Sequence, residues 1–303
     1  MKKNPLSKPR ASGKSALIGL VLLIGGYLPG FGADAARAAH PIRLPLTFVH
    51  SNPVTTITVG GQSVPAVVDI SGGDADGALT LSKDLIEAAH GVSLGTAVAT
   101  DASGHEFTRP RFSIPAVTID GRTFRDVRAV QEAALVAEDG PGVPNGIGKH
   151  FLSRYFVVVD YAGSSITLWP PDTRNPMGTD CGRIRIPMER TKEAKLAVSS
   201  FDTAAGRVRL LWGANSYSML PESLVEKLRL ATVTHGPDSP KFHQTRALSA
   251  AGQDLGPLEF VVLPLQLPPD FDGMLGRNFF DHHIVCFDYQ RREIRVRRVD
   301  AAK

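Results

Sequence analysis

The chain has 303 residues, of which 34 are Lys or Arg and 30 are Asp or Glu. The excess of basic residues lies in the first 39 residues, which hold six basic residues and one acidic residue. The rest carries 28 basic and 29 acidic residues, a net charge of −1, which argues against a nucleic-acid partner.

Residues 1–39 are predicted to be a signal peptide. Basic residues precede an apolar run, ALIGLVLLIGGYLPGFG, and small residues follow in the spacing Ala-x-Ala near residues 33–38. An uncleaved membrane anchor is the alternative, but the run is short and interrupted by Gly and Pro. No later stretch is apolar enough to span a membrane. We therefore expect an exported protein, periplasmic or secreted, with no membrane association after cleavage.

The next part of the chain predicts a series of strands with one short helix. TTITVGGQSVPAVVD (55–69) predicts a hairpin with a Gly-Gly turn, whose second strand runs into Asp69. LSKDLIEAA (81–89) has apolar residues at helical spacing. TDASGHEFTRPRF (100–112) predicts a second hairpin, and IGKHFLSRYFVVVDYAGSSITLW (147–169) predicts a helical turn followed by two strands.

The second half of the chain repeats this series. LGRNFFDHHIVCFDYQRREIRVR (275–297) aligns without a gap to residues 147–169, and Asp288-Tyr289 matches Asp160-Tyr161. AVSSFDTAAGRVRLLWGAN (197–215) repeats the first hairpin, and LPESLVEKL (220–228) repeats the helix.

The two halves are predicted to be separate lobes of similar structure. Residues 171–182 are rich in Pro, Gly and Asp, which is typical of a linker. The prediction is a lobe at 40–170 and a second lobe at 183–303.

This order of motifs resembles the retropepsin and pepsin-like aspartyl protease superfamily. The most specific stretch is GMLGRNFFDHHIVCFDY (273–289), supported by GIGKHFLSRYFVVVDY (146–161). The resemblance covers nearly all of residues 42–297. It implies an all-β fold of two similar retropepsin-like β-barrel lobes with short helices, related by a pseudo-twofold axis. It also implies a cleft between the lobes that binds an extended peptide or protein segment. No cofactor is expected. No metal is expected either, because Lys83 stands where a calcium loop at 72–77 needs a glutamate, and the adjacent His282 and His283 of a strand point to opposite faces.

The catalytic positions depart from the pattern of that superfamily, which needs one aspartate from each lobe. The two carboxylates share a proton, and the ionised one activates water. Asp69 is the candidate in the first lobe. Alignment of the hairpins assigns Leu211 to the second position, where no carboxylate is present. Asp202, in the segment FDTA, lies before the hairpin turn and is not expected to be catalytic.

Further residues are predicted to contact a bound peptide. They flank the two catalytic positions or lie at the tip of the predicted flap hairpin: Ser71, Gly72, Ser103, Gly104, His105, Trp212 and Gly213.

These observations favour an exported peptide-binding protein that is weak or inactive as a protease because Leu211 replaces the second carboxylate. The alternative is an active aspartic-type endopeptidase that uses Asp69 with an unorthodox partner or as a dimer. A third hypothesis is a structural envelope protein whose cleft is filled by its own side chains. The sequence leaves open the ligand, the oligomeric state and a disulfide between Cys181 and Cys286.

Overall fold

The computed structural model describes residues 40–71, 77–100, 106–132, 143–171, 181–189, 196–236, 241–263 and 270–299. Residues 38–303 form one compact unit. The predicted signal peptide lies outside the described residues. None of the helices in the described ranges is long and apolar enough to cross a membrane.

Strands dominate the first half, which contains, in chain order, β1 (Ile42–Pro45), β2 (Thr47–Val49), β3 (Asn52–Val59), β4 (Gln62–Val68), β5 (Leu79–Leu81), α1 (Lys83–Ala88), β6 (Val92–Thr100), β7 (Glu106–Ile119), β8 (Arg122–Gln131), β9 (Gly146–Ile147), α2 (Lys149–Leu152), β10 (Phe156–Asp160) and β11 (Ser165–Trp169).

The second half repeats this order. It contains β12 (Ile184–Pro187), β13 (Val198–Thr203), β14 (Gly206–Trp212), β15 (Met219–Pro221), α3 (Glu222–Leu228), β16 (Ala231–Val233), β17 (Phe242–Ala250), β18 (Gln253–Leu263), β19 (Gly273–Leu275), α4 (Arg277–Phe280), β20 (His283–Asp288) and β21 (Glu293–Arg298).

Each half forms a sheet that closes on itself. The first sheet has the order β2-β3-β4-β9-β5-β8-β7-β6, and an additional pairing of β3 with β7 closes its six central strands. The second has the order β13-β14-β19-β15-β18-β17-β16, and a pairing of β13 with β17 closes it in the same way. The six strands that close each sheet therefore match one another in order, which confirms the predicted all-β, two-lobed fold.

Local sequence explains the elements that build each lobe. In β4, Ala66 and Val68 are buried while their neighbours are less so, as expected for a strand with one face on a core. The turn before β4 needs glycine at Gly60, because φ is +57° and a Cβ there would lie 2.9 Å from the backbone of Ala88. α3 buries Val225 and Leu228, three residues apart on one helical face.

A third sheet joins the two halves. Its order is β1-β11-β10-β20-β21-β12, with β10 from the first repeat antiparallel to β20 from the second. Every residue of β20 is buried. The sequence predicts these strands but not their pairing across the repeats, because the residues that meet are more than a hundred positions apart.

The question of the two cysteines is answered in the same region. Cys181 and Cys286 form a disulfide with their Cα atoms 5.7 Å apart, and both are fully buried. They lie in a small apolar cluster with Phe156 and Ile284. The disulfide ties the segment before β12 to the central strand of the shared sheet.

Candidate functional site

Asp69 follows directly after β4, at the end of a parallel strand pair. Its backbone N–H donates to the carbonyl oxygen of Ile147 at 2.9 Å, continuing the pairing of β4 with β9. The side chain is half-buried. The backbone N–H and the hydroxyl of Ser71 both donate to Asp69 Oδ1, at 2.9 and 2.5 Å. This tight turn holds the carboxylate in one orientation, and it places Ser71, which is predicted to contact a bound peptide, beside Asp69.

The register of the second lobe assigns Gly213, and not Leu211, to the position of Asp69. Trp212 pairs with Leu275 as Val68 pairs with Ile147, and the N–H of Gly213 donates to the Leu275 carbonyl at 2.8 Å.

The lengths of the hairpins give the same register. Asp69 lies seven residues after Gln62, the first residue of β4, and Gly213 lies seven residues after Gly206, the first residue of β14. The predicted correspondence with Leu211 is therefore wrong by two residues. It treated Gly213 as the glycine that follows the aspartate in the superfamily, whereas the pairing of β14 with β19 makes it the position of the aspartate itself.

Two tyrosines support this register independently. Tyr289 donates its hydroxyl to the carbonyl of Ile70 at 3.4 Å, and Tyr161 donates to the carbonyl of Ala214 at 3.4 Å. The acceptors are the residues after Asp69 and Gly213, and the tyrosines are matching positions of the repeat. Burial raises the pKa of both hydroxyls above the ordinary value, so both remain donors. Each loop is thus held by a tyrosine of the other half.

The space for a second carboxylate is occupied by a methionine. A Cβ at Gly213 would lie 2.5 Å from Met274 Sδ and 2.7 Å from its Cγ. In the first lobe, the position that corresponds to Met274 is Gly146, which has no side chain. A Cβ added at Gly146 would have its nearest neighbouring atom 3.4 Å away. One lobe therefore combines an aspartate with a glycine, and the other combines a glycine with a methionine.

Trp212 lies in the core and not in the cleft, so its predicted contact with a peptide is wrong. Its side chain is fully buried among Phe201, Phe279 and Phe287, and its Nε1 donates to Ser199 Oγ at 3.0 Å. The reason is strand alternation, since Trp212 occupies the inward position that Val68 has in the first lobe.

Leu211 lies on the opposite side of β14 from Trp212. It is 8% exposed and packs with Val198, Phe271 and Met274, all from the second half of the chain. This packing extends the methionine contact at Gly213 and does not bridge the two lobes.

A lysine lies near Asp69, and sequence reasoning missed it. Lys149 starts α2, directly after β9, and its Nζ is 5.7 Å from the ring centre of Tyr289. Burial lowers the pKa of Lys149 to about 8, Asp69 acts in the opposite direction, and Arg292 lowers it further. The site therefore places an amine within electrostatic range of the carboxylate of Asp69. The repeat alignment contained a signal, because Lys149 matches the basic Arg277.

Gly72, Ser103, Gly104 and His105 lie outside the described residues, although β6 and β7 form the hairpin predicted to carry the last three. Asp202 lies in the outer hairpin of the second lobe, where it forms an ion pair with Arg207 at 2.8 Å. It is therefore not the missing partner of Asp69. Among the described residues, no group of three His, Cys, Asp or Glu is suited to a metal ion.

Comparison with known proteins shows the fold. No protein-family model and no curated protein matches the chain by sequence. Among solved structures, the aspartic proteinase from Irpex lacteus is similar with a TM-score of 0.59 and 12% identity, covering 86% of this chain and 97% of that one. Basic 7S globulin from soybean is similar with a TM-score of 0.53 and 12% identity, covering 85% and 94%.

Proposed function

We propose that this chain, which has the pepsin-like fold, is an exported protein that binds an extended peptide segment between its lobes without cleaving it. The observation that carries the proposal is the pair Gly213 and Met274. Glycine stands at the twofold equivalent of Asp69, and the Met274 side chain occupies the space that a second carboxylate needs. The binding cleft is inferred from the likeness to the aspartic proteinase from Irpex lacteus.

The chemistry of the two-aspartate mechanism explains why one missing carboxylate removes hydrolysis. One carboxylate must be ionised to activate water while the other donates a proton to the developing oxyanion. Each such acid–base role contributes about 10²–10⁴ in rate. Because the two groups act as a unit, loss of one lowers the rate nearly as much as loss of both. When Lys149 is protonated, its ammonium group donates hydrogen bonds and accepts none. It therefore does not replace the second carboxylate, which shares a proton with the first.

What remains at the site supports binding. The carboxylate of Asp69 is oriented by Ser71, and Lys149 supplies a nearby amine. Both groups form charge-assisted hydrogen bonds with the amide and terminal groups of a peptide.

Two features support the proposal of export. The first 39 residues have the composition of a signal peptide. The buried Cys181–Cys286 disulfide is of the kind that persists in oxidising compartments.

The experiment combines cleavage and binding on residues 40–303 from acidic to neutral pH. The probe is fluorescently labelled unfolded casein, measured by gel electrophoresis for cleavage and by anisotropy for binding.

We expect saturable binding and no cleavage. Asp69→Ala should weaken binding, and Asp202→Ala, which removes a carboxylate outside the site, should not. Cleavage that Asp69→Ala abolishes would show an active endopeptidase instead. Absence of both binding and cleavage would favour a purely structural protein.

A further inference from the structure

The loop after β14 contains a buried amide oxygen that no group of the described residues satisfies. Asn215 lies two residues after Gly213, and its Oδ1 is buried without a hydrogen-bond partner in the described part of the chain. Buried polar groups are nearly always hydrogen-bonded, because an unsatisfied one costs free energy. The main chain beside it is fixed, since the carbonyl of Ser216 accepts the N–H of Arg277 at 2.6 Å. The amide is therefore held at a defined place without a partner.

The repeat identifies the side chain of the first lobe that corresponds to Asn215. Ser71 follows Asp69 by two residues, as Asn215 follows Gly213. In the first lobe, Ser71 Oγ donates to Asp69 Oδ1 at 2.5 Å, so the side chain at this position is directed towards the carboxylate. In the second lobe, Gly213 has no side chain. Asn215 is therefore the polar side chain that the second loop presents where the first loop has a carboxylate and a hydroxyl.

The two loops are joined through a single residue. The N–H of Ala197 donates to the Ser71 carbonyl at 3.5 Å, and the Ala197 carbonyl accepts the N–H of Trp212 at 2.8 Å. Ser71 and the end of β14 therefore lie on either side of Ala197. This contact brings the loop that carries Asn215 beside the loop that carries Asp69.

A tyrosine gives the same placement. Tyr161 donates its hydroxyl at 3.4 Å to the carbonyl of Ala214, the residue before Asn215. Burial raises the pKa of this hydroxyl, and the carboxylates of Asp281 and Asp69 raise it further. Asp69 therefore lies within electrostatic range of a hydroxyl that is bonded to the neighbour of Asn215.

The chemistry of the amide oxygen selects the kind of ligand. A carboxamide oxygen accepts hydrogen bonds and carries no net charge, so it pairs with an N–H or O–H donor. An extended peptide presents a main-chain N–H at every residue except proline, and main-chain hydrogen bonds give such complexes much of their affinity. Asn215 is partly exposed as a residue and the χ2 torsion of asparagine is broad, so a modest rotation brings the oxygen to the surface.

We propose that Asn215 is a peptide-binding residue whose Oδ1 accepts a main-chain N–H of the segment bound beside Asp69. The inference rests on the proposed function, because it needs a peptide between the lobes. It gives the second loop a role of its own, as a neutral acceptor in place of a carboxylate. Since this acceptor has no bond to a described residue in the free protein, the bond to the peptide forms without loss of one of those internal bonds.

The test measures by anisotropy how residues 40–303 bind two labelled unfolded proteins, casein and reduced, carboxymethylated lactalbumin. Asn215→Ala should weaken the binding of both by about tenfold or more, because an N–H of the peptide then stays unpaired. The factor should be similar for the two probes, since the donor belongs to the main chain. Gln62→Ala is the matched control and should bind normally, because it removes an exposed amide at the far end of β4.

Thermal melting separates this role from a structural one. Asn215→Ala should not lower the melting temperature, because Oδ1 has no partner among the described residues. Asn278→Ala should lower it, because Asn278 Oδ1 accepts the N–H of Ser218 at 2.9 Å and Nδ2 donates to the Glu259 carbonyl at 2.8 Å. A fall in Asn215→Ala as large as that in Asn278→Ala would overturn the inference.

The binding data distinguish failure of the inference from failure of the proposed function. Binding that Asn215→Ala leaves unchanged would overturn the inference and leave the proposed function standing. Absence of binding by the unmodified chain would overturn both. A loss confined to one of the two probes would also overturn the inference, because the donor would then be a side chain particular to that probe.

Discussion

Replacement of Gly213 by Asp together with Met274 by Gly should rebuild the second carboxylate position. The double variant copies the combination that the first lobe uses, Asp69 with Gly146. Gly213→Asp alone places a Cβ 2.5 Å from Met274 Sδ, well inside the normal contact distance of about 3.5–4.0 Å. We expect this single variant to lose about 1–3 kcal/mol of unfolding free energy through overpacking.

Met274→Gly alone should also destabilise the protein, by about 1–3 kcal/mol. This cost lies at or below the low end of the range for a buried methionine, because Met274 is only half-buried. In the double variant the new carboxylate occupies the vacated space, so the cost should be less than the sum of the two single costs by at least about 0.5 kcal/mol. Unfolding in urea of the four proteins measures this coupling directly.

The double variant should also gain hydrolytic activity, because the two carboxylates then face each other. Cleavage of unfolded casein at acidic pH should exceed that of either single variant by about 10²-fold or more, and Asp69→Ala in the double variant should abolish it. Strictly additive stability costs would refute the claim that Met274 occupies the space of residue 213. A folded double variant without cleavage dependent on Asp69 would refute the facing arrangement of the two loops.

Three further variants test the rest of the structure. Replacement of both Cys181 and Cys286 by Ala removes a cross-link between residues 105 positions apart. It should lower the free energy of unfolding by about 4 kcal/mol, because the unfolded chain gains conformational freedom. An unchanged midpoint of urea unfolding would contradict the disulfide. Burial lowers the pKa of His283 below its ordinary 6.5, so the folded state favours the neutral imidazole. The free energy of unfolding should therefore fall as the pH drops below about 6.5. In His283→Gln, the free energy of unfolding measured in urea should depend less on pH in this range, and an equal dependence in both proteins would contradict the prediction. Tyr289→Phe removes the hydrogen bond to Ile70 and should cost about 0.5–1 kcal/mol; a thermal melt that matches the unmodified protein would show that this bond contributes nothing.

The local elements could be predicted because their signals are short-range. The segment 81–89 contains α1 at Lys83–Ala88, and 220–228 contains α3 at Glu222–Leu228. Both are signalled by apolar residues at helical spacing. The two hairpins leading to Asp69 and Gly213 are signalled by alternation and by their turns. The repeat then implied two lobes, and the likeness to solved structures confirms that fold.

The site could be predicted only in part, because its register depends on a strand distant in sequence. The sequence predicts Asp69 as the candidate in the first lobe and assigns the matching position of the second lobe to Leu211. Pairing of β14 with β19 moves the position to Gly213. A shift of one residue moves a side chain to the other face of a strand, and a shift of two restores the face but changes the neighbour. Local pattern therefore could not distinguish Leu211 from Gly213.

The sequence by itself determined the elements and their order in two repeats, because each depends on residue type and short spacing. Only the tertiary structure decided which side chains meet. It brought Met274 onto Gly213, Lys149 towards Asp69, and each tyrosine to the opposite loop. It also buried Trp212 and joined Cys181 to Cys286. These contacts link residues far apart in the chain, so they follow from strand pairing and core packing, which no local pattern specifies.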